Sequence, residues 1–122
     1  MKIYDCFMFF DETMMLEIRL NILNKFIDKF IITESKFSHN GKEKKLNFDI
    51  KKFSEFKSKI EYIIIDKQPK DILQEDADDS VVRKDEKKII NSLKRENFQR
   101  EMLSKGLVGL NQNDLVIISD VD

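Results

Sequence analysis

The sequence has few of the residues that build disulfides, zinc sites or flexible linkers. Its 122 residues include one cysteine, Cys6, one histidine, His39, one proline and three glycines. A single cysteine excludes an internal disulfide and a cysteine-built zinc site, and a single histidine excludes a multi-histidine metal centre. Any metal must therefore be held mainly by carboxylates, which favours hard cations such as Mg²⁺ or Mn²⁺.

The chain also lacks an excess of charge of either sign. Its 22 lysines and arginines face 23 acidic residues, for a net charge of −1. This balance argues against a nucleic-acid binder, which needs a basic excess. The first apolar stretch, residues 3–10, is broken by Asp5 and is too short for a signal peptide or a transmembrane segment. We expect one domain, residues 1–122, in the cytoplasm.

Short apolar runs predict four buried strands, and helix-forming segments lie between them. The predicted strands are 3–10, 29–33, 60–66 and 114–122, and the predicted helices cover about 13–25 and 85–105. Asp49 could cap a further short helix that carries Phe53 and Phe56 inward. In the last helix, Ile89, Ile90 and Leu93 share a predicted apolar face, and Gly106 is a plausible stop. The acidic stretch 68–84 predicts a mobile loop.

This alternation of continuous apolar strands with helices predicts an α/β fold, a mostly parallel sheet with helices on both faces. Ligands of such sheets bind beyond the carboxyl ends of the strands. Polar residues follow the predicted strand ends at 11–12, 34–35, 66 and 120–122. We therefore expect the functional site at that edge.

Two Asp-x-Asp pairs occur, and the second is the better candidate for a metal site. Asp76 and Asp78 lie in the acidic loop, where a solvated surface is the simpler interpretation. Asp120 and Asp122 directly follow the apolar residues 115–118. In an extended segment the two carboxylates would share a side, and they would repel each other unless protonated or bridged by a cation. A divalent metal there could hold a diphosphate, although two solvated strand-end acids would have the same sequence.

A second polar constellation interrupts the predicted face of the last helix. Glu96 and Arg100 continue the spacing of Ile89 and Leu93, and Arg95 and Gln99 form a second i,i+4 pair. These residues predict either an intrahelical ion pair at the edge of the core or contacts to an anionic ligand. Residues 36–59 carry eight lysines and three acids, which favours a solvated surface over a phosphate-binding patch.

Several segments, in order and at compatible spacing from residue 3 to residue 122, resemble one enzyme family. They are Ile3–Phe9, Glu12, Leu16–Leu20, Phe30–Ser35, Arg95–Arg100, Gly106-Leu107 and Asp114–Asp122. They resemble the beta-1,4-mannosyl-glycoprotein beta-1,4-N-acetylglucosaminyltransferases, glycosyltransferase family 17. Together these matches are much more specific than Asp-x-Asp alone.

The resemblance implies a Rossmann-like GT-A fold that binds a nucleotide sugar. The donor would be a UDP-sugar, UDP-N-acetylglucosamine by similarity, and the acceptor a glycan or glycoconjugate hydroxyl. Asp120 and Asp122 match the family's Asp-x-Asp, which implies that they hold Mn²⁺ or Mg²⁺. The resemblance also implies nucleotide contacts from Phe9 and Glu12, a uracil contact from Glu34, and a donor-pocket wall formed by Arg95, Glu96, Gln99 and Arg100.

Members of that family continue past this motif with the part that binds the acceptor and carries the candidate base. The resemblance therefore implies a donor-binding half, with the strand before Asp120 lacking its later neighbours and exposing apolar surface. The alternative is a non-catalytic nucleotide-sugar-binding fragment that needs a completing partner chain. A phosphatase of the haloacid dehalogenase type also uses Asp-x-Asp, but there the motif begins the fold.

Overall fold

Strands and helices alternate along the chain in the predicted order. A computed structural model gives the positions of all residues from 1 to 122. The strands are β1 (Ile3–Met8), β2 (Lys29–Ser35), β3 (Ile60–Ile65) and β4 (Leu115–Ser119), and the α-helices are α1 (Thr13–Leu23) and α2 (Val81–Met102). Two 3₁₀ helices, Ile50–Phe56 and Leu103–Gly106, precede β3 and follow α2. Asp49 caps the first of them by accepting from the Lys51 N–H, as predicted.

All four strands are parallel and lie in the order β3-β2-β1-β4. The chain passes from β1 to β2 to β3 in one direction, and α2 then brings it back to place β4 on the free side of β1. The carboxyl ends of all four strands therefore lie at one edge. This topology confirms the predicted α/β class with a parallel, Rossmann-like sheet.

Apolar residues cover both faces of the sheet, as the continuous apolar strands predict. On one face Phe30 and Ile32 of β2 pack in a cluster with Leu16 of α1 and Phe53 of the first 3₁₀ helix. On the other face Ile31 packs against the second 3₁₀ helix. A Cβ on Gly106 would lie 2.7 Å from the Ile31 side chain, so only glycine allows this approach.

Helix α2 differs from its predicted limits and from its predicted inward face. It begins at Val81, four residues before the predicted start, because the Ser80 hydroxyl caps it by accepting from the Arg83 N–H. The predicted apolar face is wrong, since Ile89 and Leu93 are 63% and 53% exposed. The buried residues of α2 are polar: Lys87, Asn91 and Gln99. Neither α1 nor α2 is long and apolar enough to cross a bilayer.

Two of these buried polar side chains form hydrogen bonds with the segment that precedes α2. The Lys87 ammonium donates to the Gln74 carbonyl at 2.8 Å and to the Asp79 carboxylate at 2.6 Å. Asn91 both donates to and accepts from the backbone of Leu73. Residues 68–80 of the predicted loop have no helix or strand, whereas residues 81–84 belong to α2. Hydrogen bonds from α2 hold the loop backbone, and the mobility of the loop stays a prediction.

Strand β4 is the uncovered edge of the sheet. It pairs with β1 only, and Leu115, Val116, Ile117 and Ile118 are 51%, 37%, 43% and 53% exposed. Alternate side chains of a strand point to opposite faces, so both faces of β4 are open. The expected exposure of apolar surface along this strand is confirmed.

A fully buried carboxylate, Glu34, organises the carboxyl end of β2. It accepts from the Lys44 ammonium at 2.7 Å, from the backbone N–H groups of Asn47 and Phe48 at 2.7 and 3.0 Å, and from the Tyr62 hydroxyl at 2.7 Å. Burial and the hydrogen bond to the Glu34 carboxylate raise the pKa of Tyr62. Glu34 therefore joins β2, β3 and the loop between them.

We expect Glu34→Ala to lower the free energy of unfolding by about 3–5 kcal/mol, because it leaves the Lys44 charge without its counter-ion. Urea denaturation measures this loss. Glu86→Ala is the matched control, since Glu86 pairs only with Arg83 on the exposed surface of α2. It should cause a much smaller loss. Similar losses in the two variants would contradict the assigned role of Glu34.

The raised pKa of Tyr62 predicts a loss of stability at alkaline pH. The unfolded chain releases the Tyr62 proton at about pH 10, whereas the native protein keeps it to higher pH. Deprotonation therefore stabilises the unfolded state relative to the native one, and the free energy of unfolding falls as the pH rises further. Unfolding free energies measured between neutral and alkaline pH should decline less steeply in Tyr62→Phe than in the parent. Identical slopes would show that Tyr62 does not contribute.

Candidate functional site

A cavity of about 190 Å³ lies at the carboxyl edge of the sheet, between the ends of β1 and β4. This is the point at which the chain reverses its direction of winding, with β2 and β3 on one side of β1 and β4 on the other. Ligands of open parallel sheets bind at such switch points. The lining residues are Met8, Phe9, Phe10, Glu12, His39, Glu96, Gln99, Asp120, Val121 and Asp122. Six of the nine predicted site residues are among them.

The Asp-x-Asp segment reaches this cavity in a way that the sequence predicts only in part. Strand β4 ends at Ser119, so Asp120 and Asp122 follow the strand and are not placed by its alternation. Instead Val121 is buried, at 6% exposure, in the core beside α1, while both aspartates are exposed and line the cavity. Both aspartates therefore line one cavity, with buried Val121 between them as the anchor, and a shared cation site at their carboxylates stays a prediction.

Carboxylates dominate the charged lining of the cavity. Glu12, Glu96, Asp120 and Asp122 line it together with exposed His39, and no lysine or arginine does. A diphosphate placed among these acids would be repelled, since like charges a few ångströms apart interact unfavourably even when water screens them. The charge of the site thus favours a cation, and an anion fits there only together with one.

Asp120 and Asp122 are the predicted ligands of such a cation. Neither takes part in an ion pair of the protein. No group of three or more histidine, cysteine or acidic side chains converges on one metal position. Two carboxylates suit Mg²⁺ or Mn²⁺ when phosphate oxygens and water supply the remaining ligands.

Phe9, Gln99 and Glu12 form the wall of the cavity. Phe9 and Gln99 are 1% and 6% exposed, and the Gln99 amide donates to the Thr33 carbonyl at 3.1 Å, which ties α2 to β2. The Glu12 carboxylate accepts from the N–H groups of Phe10 and Asp11 at 3.0 and 3.2 Å. It therefore closes the turn after β1 and keeps one oxygen toward other partners.

Three predicted site residues do not line this cavity. The Glu34 carboxylate is fully buried and already has four donors, as described above. Arg100 is exposed and lies 3.3 Å from the Glu96 carboxylate, which is the intrahelical ion pair that the sequence left open. Arg95 lies beyond the ends of β2 and β3. The proposed ligand contacts of these residues remain predictions.

Arg95 lines a second, larger cavity of about 960 Å³, together with exposed lysines such as Lys42 and Lys88. Its guanidinium donates to the Gln68 side chain at 2.7 Å and to the His39 carbonyl at 2.9 Å. It also lies so close to Gly41 that a Cβ there would be 2.5 Å from Nη2. Burial lowers the pKa of Arg95. Arg95 thus joins the loop after β2 to the loop after β3.

Sequence analysis missed one residue that contacts the Asp-x-Asp segment, Arg19 of α1. Its guanidinium donates to both oxygens of the Asp5 carboxylate at 2.8 and 2.7 Å and to the carbonyls of Asp120 and Val121 at 2.6 and 3.1 Å. The available signal was Asp5 itself, an acid within an otherwise apolar strand. A buried carboxylate needs a buried partner, and Arg19 lies on the helix that follows.

Comparison with known proteins identifies the family. The model of glycosyltransferase family 17 matches residues 1–122, the whole chain. No curated protein and no solved structure matches the chain significantly. The match agrees with the parallel, Rossmann-like α/β sheet. The chain therefore belongs to glycosyltransferase family 17.

Proposed function

We propose that this chain is the donor-binding domain, residues 1–122, of a glycosyltransferase that uses a UDP-sugar. The donor is UDP-N-acetylglucosamine, and the acceptor is a hydroxyl of a glycan or glycoconjugate. The observation that carries the proposal is the acidic cavity between β1 and β4, where both carboxylates of Asp120-x-Asp122 are exposed. Membership of the family supports a glycosyltransferase role, and the charge of the cavity supports a donor that binds with Mg²⁺ or Mn²⁺.

In this proposal each part of the cavity has a distinct task. Asp120 and Asp122 would hold the cation, and Glu12 and Glu96 line the same cavity. Phe9 and Gln99 form the buried wall against which the donor rests. When bound, the cation supplies positive charge that stabilises the diphosphate as it leaves.

Glu34 contributes through the loop that it holds. Its carboxylate accepts from the Asn47 N–H, and the Asn47 side chain donates to the Phe10 carbonyl at 2.6 Å. Phe10 lines the cavity, so this chain of contacts couples the end of β2 to the donor site. A uracil ring near the end of β2 would meet this loop first.

The reaction exchanges one bond at the anomeric carbon. The acceptor hydroxyl oxygen forms a bond to that carbon, the bond from the carbon to the diphosphate oxygen breaks, and the hydroxyl proton passes to a base. Since that base must lie beside the acceptor, we assign it to no residue of the donor cavity. The chain's own residues bind and orient the donor.

The alternative is a nucleotide-sugar-binding fragment that needs a completing chain for catalysis. The uncovered strand β4, exposed on both faces and paired on one side only, favours this alternative. Measuring hydrolysis or transfer of the sugar separates the two functions. Donor binding without turnover in the presence of glycan acceptors would favour the fragment.

We expect calorimetric titration of UDP-N-acetylglucosamine to show binding that requires Mn²⁺ or Mg²⁺ and is lost in EDTA. Asp122→Asn should weaken that binding at least tenfold, because it removes one of two anionic ligands of the cation. If the variant binds UDP-N-acetylglucosamine as strongly as the parent and without a metal, that result would contradict the proposed role of Asp122.

The second Asp-x-Asp pair supplies the matched control. Asp78→Asn removes the same charge from an exposed position in the loop before α2, which does not line the cavity. Its metal-dependent binding should equal that of the parent. A similar loss in both variants would mean that net charge, and not a site at Asp122, governs the affinity.

A further inference from the structure

The guanidinium of Arg19 uses all of its N–H groups on two parts of the fold. An arginine has five N–H donors. Two of the hydrogen bonds go to the Asp5 carboxylate, one goes to the Ser119 hydroxyl at 2.6 Å, and two go to the carbonyls of Asp120 and Val121. The same guanidinium lies 4.5 Å from the centre of the Phe7 ring. Arg19 is therefore fixed by β1 and contacts the end of β4.

The two carbonyl contacts define the backbone of the Asp-x-Asp segment. In an extended strand successive carbonyls point in opposite directions. Here the carbonyls of Asp120 and Val121 both accept from one nitrogen, Nη1 of Arg19. The chain therefore turns at this point, and its two peptide planes are held by the two N–H groups of a single nitrogen. Because the planes set the directions of the flanking Cα–Cβ bonds, they limit the directions that the two aspartate side chains can take.

Asp5 provides the rigid support for this arrangement. Its carboxylate is completely buried in the central strand β1, and its paired contacts to Arg19 leave the guanidinium one orientation. Val121 is the second anchor, since its side chain lies in the core beside α1. The segment is thus held by its backbone on Arg19 and by its middle side chain in the core.

We propose that Arg19, oriented by Asp5, is a positioning residue that fixes the Asp120–Asp122 backbone so that both carboxylates face the cavity. Its consequence for metal and donor binding rests on the proposed function, but the ordering of the segment does not. Groups that orient metal ligands commonly contribute ten- to hundredfold, roughly, to metal affinity.

A purely structural role for Arg19 would be to neutralise buried Asp5, for which two of the five hydrogen bonds suffice. The remaining three go to Ser119, Asp120 and Val121, and they are unnecessary for that purpose. Arg19→Lys separates the two roles. A lysine keeps the positive charge beside Asp5, but its compact ammonium cannot bond the carboxylate in paired fashion and also reach both carbonyls.

The test measures backbone ¹⁵N order parameters by NMR, without ligand or metal, in the parent protein and in Arg19→Lys. We expect values near about 0.85 for residues 120–122 in the parent and below about 0.6 in the variant, while residues 115–118 keep their order. Unchanged order at residues 120–122 would overturn the proposal. Arg83→Lys is the matched control, since Arg83 pairs only with Glu86 on the exposed surface, and it should change nothing at this segment.

Ser119→Ala keeps the test decisive if Arg19→Lys fails to fold. It removes one contact of the guanidinium and one hydrogen bond to the Asp120 carbonyl, and Ser119 is exposed. The order of residues 120–122 should fall in this variant as well, by a smaller amount. If Arg19→Lys does not fold and Ser119→Ala keeps full order at residues 120–122, the proposal is overturned. Arg19 would then act only as the structural partner of Asp5.

Titration of Mn²⁺ with UDP, followed by electron paramagnetic resonance, then distinguishes the two proposals. At least tenfold weaker binding in Arg19→Lys, together with the loss of order, supports both. Loss of order in the variant without binding in the parent supports the positioning role and contradicts the proposed donor site. Normal binding in a variant whose segment has lost its order would show that the order does not serve the metal, and would overturn the proposed consequence.

Discussion

Two buried carboxylates determine how the site edge of this protein is built. Asp5 and Glu34 lie in the adjacent central strands β1 and β2, and both are completely buried. A buried charge is tolerated only when it is paired and hydrogen-bonded, so each must recruit a cation and further donors from outside the sheet. Asp5 recruits Arg19 from α1, and Glu34 recruits Lys44 and the loop at Asn47. Each pairing brings an element other than the sheet to the edge where the strands end.

The class of the fold and most element limits follow from local sequence signals. Apolar runs predict the strands and Asp49 predicts the first 3₁₀ helix, because these features depend on residues close in sequence. The inward face of α2 could not be predicted in this way. Its apolar residues Ile89 and Leu93 are exposed, and polar Asn91 is buried, because the helix is oriented by hydrogen bonds to a loop backbone. Such partners are distant in sequence and leave no periodic pattern.

The candidate site could be predicted as a set of residues more readily than as a geometry. The edge rule for parallel sheets and the Asp-x-Asp pair lead to the cavity between β1 and β4. The alternation of an extended strand does not apply there, since β4 ends before Asp120 and buried Val121 anchors the segment beside the cavity. The family resemblance implies that Arg95 lines the donor pocket, but its contacts to Gln68 and His39 place it beyond β2 and β3. Sequence distance along one helix does not reveal which loop each turn meets.

The polar attachment of α2 to residues 66–80 has a consequence for how the molecule fluctuates. Hydrogen bonds from Lys87, Asn91 and Lys94 hold that loop, whereas both apolar clusters draw their residues from other elements. Regions with few buried apolar contacts open locally at low free-energy cost. The first turns of α2 and this loop can therefore exchange their amide hydrogens with solvent as a unit while the sheet remains folded. The last turns of α2 differ, since the buried Gln99 amide donates to the Thr33 carbonyl and keeps this part of the cavity wall attached to β2.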